Sequence, residues 1–219
     1  MTQYFMSDHI ETTPLTSAIG QFCADRIAEF DQIPAARQEQ LLRLSQYCSR
    51  TIAAGHRPRI IVICTHNSRR SHLGQVWLSA GADHYGIPGV ETFSGGTEAT
   101  AFNPRAVEAL RRIGFLIETE DFTENPIYQI RWNDRMEPYR AFSKKYDTAP
   151  NPTERFAAVM VCSEADEGCP LVAGCDFRLA LPYDDPKAFD ETPQESAKYD
   201  ERARQIGREM LFVMSRVAV

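Results

Sequence analysis

No apolar run in this chain approaches the roughly 18 to 20 residues that a membrane-spanning helix needs, so no membrane partner is expected. The first residues, Met1 to Asp8, lack a basic stretch followed by an apolar one, and a secretion signal is not expected either. A cytoplasmic location is then the default, and thiols there stay reduced. The six cysteines accordingly read as core residues, metal ligands or redox groups, not as a disulfide framework. The five histidines show no metal-ligand spacing. No basic stripe is present and the formal net charge is −6, which argues against nucleic acid as a partner. Internal repeats and low-complexity tracts are also missing.

What remains is a chain of 219 residues with 43% hydrophobic and 25% charged residues, enough for one full core with appendages. Residues 1–56 read as a polar arm followed by two amphipathic helices, a hairpin packed on the body. Residues 57–219 alternate strands with helices: strands at Arg59–Cys64, Val90–Ser94, Phe156–Cys162 and Phe177–Leu181, and a last helix from about Gln194 to Val217. This alternation predicts an α/β fold, a doubly wound four-stranded parallel sheet with helices on both faces. Asn103-Pro104 starts one of the helices and Gly114 stops it. Residues of about 124–155, rich in proline and aromatics, read as an insertion with short helices that is packed on the body and serves as a lid or partner surface.

The chemistry concentrates in Cys64-Thr65-His66-Asn67-Ser68-Arg69-Arg70-Ser71. An apolar β-branched strand ends at the cysteine, and a helix begins at the arginine. Backbone N–H groups at such a turn bind oxyanions. Their dipoles and the Arg70 guanidinium favour a thiolate at Cys64 over a thiol. The loop Thr65, His66, Asn67, Ser68, Arg69 and Arg70 thus forms a cradle for a tetrahedral anion. Arg70 clamps two of its oxygens, Cys64 attacks from beneath, and Ser71 hydrogen-bonds the sulfur. Asn67 is suited to a left-handed backbone. Arg69 adds a second positive charge at the rim. His66 contributes its backbone N–H, and His72, on the helix, is expected to cap it or face solvent.

Two further segments fall on the same sheet edge. Tyr183-Asp184-Asp185-Pro186 is either a turn, which Asp-Pro favours, or a source of a general acid in Asp185. Cys162 closes an apolar strand, as a core thiol would, and Cys169 follows it seven residues on in an acidic loop where thiol exchange is accessible. Cys23 and Cys48 lie on apolar helix faces and read as core.

Together these residues resemble the low-molecular-weight protein tyrosine phosphatase superfamily, and within it the thioredoxin-coupled arsenate reductases. The resemblance covers residues of about 58–122 and 156–218. It implies Cys64 as nucleophile, Arg70 as anion clamp, Asp185 as general acid, and Cys162 and Cys169 as a redox relay cleared by thioredoxin or a similar external thiol, with no bound cofactor. The substrate would be arsenate, or phosphate or a phosphorylated molecule if the chain is instead a phosphatase with structural distal cysteines. A third reading is a non-catalytic anion- or partner-binding module. The reductases also hold a potassium ion through a loop asparagine, a helix acid and a strand-end serine; Asn67 and Ser94 match, and Gln75 stands in place of the acid. Histidine at 66 replaces the family's usual glycine and Arg69 its frequent cysteine. Lys187 and Ala188 follow Asp185-Pro186, where tyrosine phosphatases carry aromatics.

Overall fold

The computed structural model describes residues 15–168 and 171–219. The expected N-terminal arm and Cys169 lie outside the described residues. Two helices come first, α1 (Ser17–Ile27) and α2 (Ala35–Ala53). The main sheet follows with β1 (Arg59–Cys64), α3 (Arg70–His84), β2 (Glu91–Gly96) and α4 (Pro104–Ile113). Next come three short strands, β3 (Leu116–Glu118), β4 (Tyr128–Arg131) and β5 (Tyr139–Ala141). The chain closes with β6 (Phe156–Met160), α5 (Ser163–Gly168), β7 (Cys175–Ala180) and α6 (Glu195–Ser215).

The main sheet has the order β2-β1-β6-β7, and all its pairs are parallel. β1 and β6 occupy the centre. Ile60, Ile61, Val62 and Ile63 are at most 1% exposed, and every residue of β6 is buried, as strands covered on both faces must be. Each such side chain contributes about 1.5–3 kcal/mol on burial. Helix α6 is the common support: it packs along α3 and also meets α1, α2 and α4. Phe22 of α1 stacks on Trp77 of α3 with ring centroids 4.7 Å apart. Cys23 and Cys48 are fully buried in this layer, and burial pushes both thiols up to about 12, so neither is a nucleophile at neutral pH.

The insertion departs from expectation. In place of short helices, residues 124–155 carry β4 and β5, which with β3 form an antiparallel sheet. The alternation of buried Tyr128 and Ile130 with exposed Gln129 has a strand's period of two. Its aromatics do face the body: Trp132 Nε1 donates to Asp83 at 2.6 Å and Tyr139 hydroxyl to the Thr92 carbonyl at 2.7 Å.

β2 also runs two residues further than its apolar pattern. Gly95 and Gly96 are in register with Ile63 and Cys64. They are strand residues because a neighbouring segment crosses directly over them. A Cβ on Gly95 would lie 2.3 Å from the Tyr146 Cα, and one on Gly96 2.6 Å from the Thr65 carbonyl oxygen. Glycine here permits close backbone approach, not a turn.

Candidate active site

The loop between β1 and α3 is held from outside by its carbonyl groups. The Thr65 carbonyl accepts from Glu98 N at 2.8 Å and from Thr97 hydroxyl at 3.2 Å. That of His66 accepts from the Ser143 and Thr100 hydroxyls, that of Ser68 from Asn103 N, and that of Arg69 from Leu73 N. The backbone N–H groups of Thr65 to Arg70 donate to no group among the described residues. A loop whose carbonyls are turned outward and satisfied, and whose N–H groups are unspent, is an anion nest. The Arg70 Nε–H is likewise buried and unpartnered among the described residues. An oxyanion in the loop would satisfy both sets, which otherwise carry an unmet hydrogen-bonding demand.

Asn67 is the keystone. It has φ 45° and is fully buried. Its Oδ1 accepts from Lys144 N at 2.9 Å, which fixes the amide so that Nδ2 donates to Ser71 Oγ at 2.9 Å. The Ser71 hydroxyl proton is thereby free for Cys64 Sγ, 3.1 Å away. A thiolate there would have a donor aimed at it.

His72 was expected to cap the helix or face solvent. It is instead fully buried beneath the loop, its ring stacked 4.0 Å from that of Phe102. Its Nε2–H donates to the Asn67 carbonyl at 2.9 Å, and Nδ1 accepts from Ser94 hydroxyl at 3.3 Å. Burial, reinforced by the Lys144 charge, holds the imidazole well below its ordinary 6.5, so it is neutral and the tautomer is determined. Of the groups expected from the resemblance to hold potassium, the Asn67 side-chain oxygen accepts from Lys144 N and its carbonyl from His72, while the Ser94 hydroxyl donates to His72. Among the described residues no cluster of histidine, cysteine or carboxylate side chains suits a metal.

Arg69 is also reassigned. Its side chain turns from the anion nest to Tyr199 hydroxyl at 2.7 Å and Asp190 at 3.3 Å, so only its backbone N–H is offered to an anion. His66 is half-exposed and lies 3.6 Å from Glu98. Asp185 Oδ2 accepts from Arg70 Nη2 at 2.7 Å, and Asp185 Oδ1 caps the short turn Pro186–Phe189 through Lys187 N at 3.0 Å. The carbonyl of Tyr183 takes Arg70 Nη1 at 2.8 Å.

Cys162 lies two residues past the end of β6, the strand that pairs with β1. Ile63 pairs with Met160, and Val161 N donates to the Ile63 carbonyl at 2.8 Å. Neighbouring strands run about 4.8 Å apart. The Cys162 thiol is fully buried and 3.4 Å from Thr65 hydroxyl. Burial raises its pKa, which Thr65 and Arg70 counteract.

Three contributors carried no sequence signal: His72, Ser143 and Lys144. Residues 143–146 brace the loop. Gly96 N donates to the Lys144 carbonyl and Tyr146 N to that of Gly96, each at 2.9 Å. Lys144 itself is buried, and this pushes its ammonium down to about 8. The segment expected as a lid or partner surface is fastened to the anion loop.

A cysteine and an arginine thus bracket an anion nest at the carboxyl edge of a four-stranded parallel sheet. No protein-family model matches the chain. The chain is 30% identical over 131 residues to arsenate reductase 2 of Staphylococcus epidermidis, covering 58% of this chain and 77% of that protein. It is 25% identical over 147 residues to the arsenate reductase of Bacillus subtilis, covering 66% and 86%. Among solved structures, a low-molecular-weight protein tyrosine phosphatase from T. tengcongensis aligns with a TM-score of 0.49 at 16% identity, over 73% of this chain and 99% of that one. The chain belongs to the arsenate reductase family. No helix among the described residues is long and apolar enough to cross a membrane.

Proposed function

We propose that this chain reduces arsenate to arsenite, with Cys64 as nucleophile and Cys162 and Cys169 as a thiol relay. The observation that carries this reading is a second buried thiol, Cys162, two residues past the end of the strand that pairs with β1, and hydrogen-bonded to the anion loop through Thr65. Hydrolysis of a phosphate ester has no use for it.

Arsenate sits in the loop, its oxygens on the unspent N–H groups and on Arg70 Nε. Cys64 Sγ attacks arsenic, a sulfur–arsenic bond forms, and an oxygen leaves as water with a proton from Asp185. Cys162 then attacks Cys64 Sγ. The sulfur–arsenic bond breaks, its electron pair stays on arsenic, and arsenite departs as arsenic(III). The two electrons come from the thiols, which become a Cys64–Cys162 disulfide. Cys169 attacks Cys162, releasing Cys64 and leaving a Cys162–Cys169 disulfide. An external dithiol of the thioredoxin class reduces it and closes the cycle.

The loop takes phosphate and arsenate alike, because both are tetrahedral oxyanions of similar charge. The test is therefore the relay. The reduced chain is incubated with arsenate without reductant, and its disulfides are mapped by mass spectrometry. A Cys64–Cys162 or Cys162–Cys169 bridge formed with one equivalent of arsenite is expected. Turnover of an aryl phosphate with all cysteines left reduced after arsenate would replace this reading with phosphomonoester hydrolysis.

A further inference from the structure

The anion loop accounts for one end of the sheet. At the other end lies a cavity of about 670 Å3 that the proposed reaction does not use. It opens where β1, β2 and β7 begin, at Arg59, Glu91 and Asp176, and is closed on one side by the end of α2 and on another by Arg155. Arg59 and Cys64 terminate the same strand, so the two sites are about 17 Å apart at a rise of about 3.3 Å per residue.

Four arginines line this cavity, Arg50, Arg57, Arg59 and Arg155, against two carboxylates, Glu91 and Asp176. That is an unusual concentration in a chain of net charge −6. Arg57 pairs with Glu91 at 3.2 Å, an exposed and therefore weak pair. Arg50 and Arg59 make no hydrogen bond or ion pair among the described residues. Arg50 is explained by its place in the last turn of α2, where a cation suits the helix dipole. Arg59 has no such reason, and among the described residues Arg155 makes only an exposed pair with its neighbour Glu154 at 3.5 Å. Arg155 is stranger still, because its backbone has φ 53°, a region where glycine would be unstrained.

We infer that this cavity is a second anion site, for a compact molecule bearing two or more oxyanion groups. Guanidinium groups pair bidentately with phosphate or carboxylate oxygens, and several around one hollow match several anionic groups. The size exceeds what a single tetrahedral ion fills. A nucleotide base finds no platform, because the Phe177 ring is already covered by the stacked Tyr47 ring at 5.5 Å and by the Arg43 guanidinium at 5.7 Å. Tyr47 keeps its phenolic proton, pushed up to about 12 chiefly by burial, and so can only add a donor to the wall.

The test separates the two anion sites by using the Arg70→Ala chain, in which the loop has lost its clamp. Inorganic diphosphate and citrate are titrated into it calorimetrically at low salt. Saturable binding is expected, weakened about tenfold or more by Arg59→Gln, the effect of one lost charge-assisted contact. The tighter of the two ligands identifies the source as a phosphate or a polycarboxylate compound. Arg155→Gly guards against a folding artefact: it removes a cation while relieving the backbone, so thermal stability without ligand is retained or raised as diphosphate binding weakens. Absence of saturable binding to Arg70→Ala, or an affinity left unchanged when Arg59→Gln or Arg155→Gly is added to it, overturns the inference. Neither result bears on arsenate reduction, which is read at Cys64 in a chain with intact Arg70.

Discussion

Asp185 and Arg70 form an ion pair, Oδ2 to Nη2 at 2.7 Å, in which the carboxylate holds one arm of the guanidinium that the anion nest requires. The Tyr183 carbonyl holds the other arm, and only Nε is left for the nest. An incoming oxyanion that takes Nη2 as well as Nε competes with Asp185 for Arg70. When it wins, Asp185 is released for the proton transfer proposed for it.

Asp185→Asn separates these effects. Removing the competing charge should tighten oxyanion binding several-fold, while loss of the acid slows the chemical step by about 10²–10³. Steady-state kinetics should show kcat and KM falling together, with phosphate inhibition at lower concentration. A KM that rises as kcat falls would contradict the competition.

Cys162→Ser should abolish arsenite production and spare any hydrolysis of an aryl phosphate. Because burial raises the Cys162 thiol, single-turnover disulfide formation should accelerate as pH rises through and above neutrality. A rate flat from pH 7 to 9 would show that deprotonation of Cys162 does not limit the relay.

His72 predicts an acid limb of stability. Its folded pKa is held well below 6.5, so the unfolded chain takes up a proton that the folded chain refuses. Its contribution is complete above pH 6.5 and is lost as pH falls toward the folded value, by up to about 1.4 kcal/mol per pH unit. Urea unfolding between pH 7 and 5 should show this slope, and His72→Gln should remove about one proton's worth of it. An unchanged slope in the variant would mean another group controls this limb.

Gly95→Ala tests the brace. A Cβ 2.3 Å from the Tyr146 backbone forces the 143–146 segment away from the loop. About 1–3 kcal/mol of stability should be lost. The reaction of Cys64 with iodoacetamide should change as well, since Lys144 N orients Asn67 and Asn67 orients Ser71. An unaltered Cys64 reactivity would detach the insertion from the site.

Elements whose local pattern carries its own physics are legible in the sequence. An apolar run predicted β1 and β6, Asn103-Pro104 and Gly114 bounded α4, and alternation of elements predicted the parallel sheet. Residues whose partners are distant are not legible there. His72 looked like a surface residue because nothing within a turn of it announces Phe102 or the folded-back carbonyl of Asn67. Arg69 looked like an anion ligand because Tyr199, 130 residues on, is what claims it. Gly95-Gly96 looked like a loop because the segment that crosses it is about 50 residues away.

The sequence by itself determined the class of chemistry, since a thiol, an anion clamp and a helix start are spaced within one loop and need only local backbone geometry to converge. The tertiary structure decided what surrounds that loop. It turned every carbonyl of the loop outward, set Asp185 against Arg70, buried His72 and Lys144 beneath the nest, and brought Cys162 beside Cys64. These are relations between strands and insertions far apart in the chain, fixed only when the sheet pairs and the core closes.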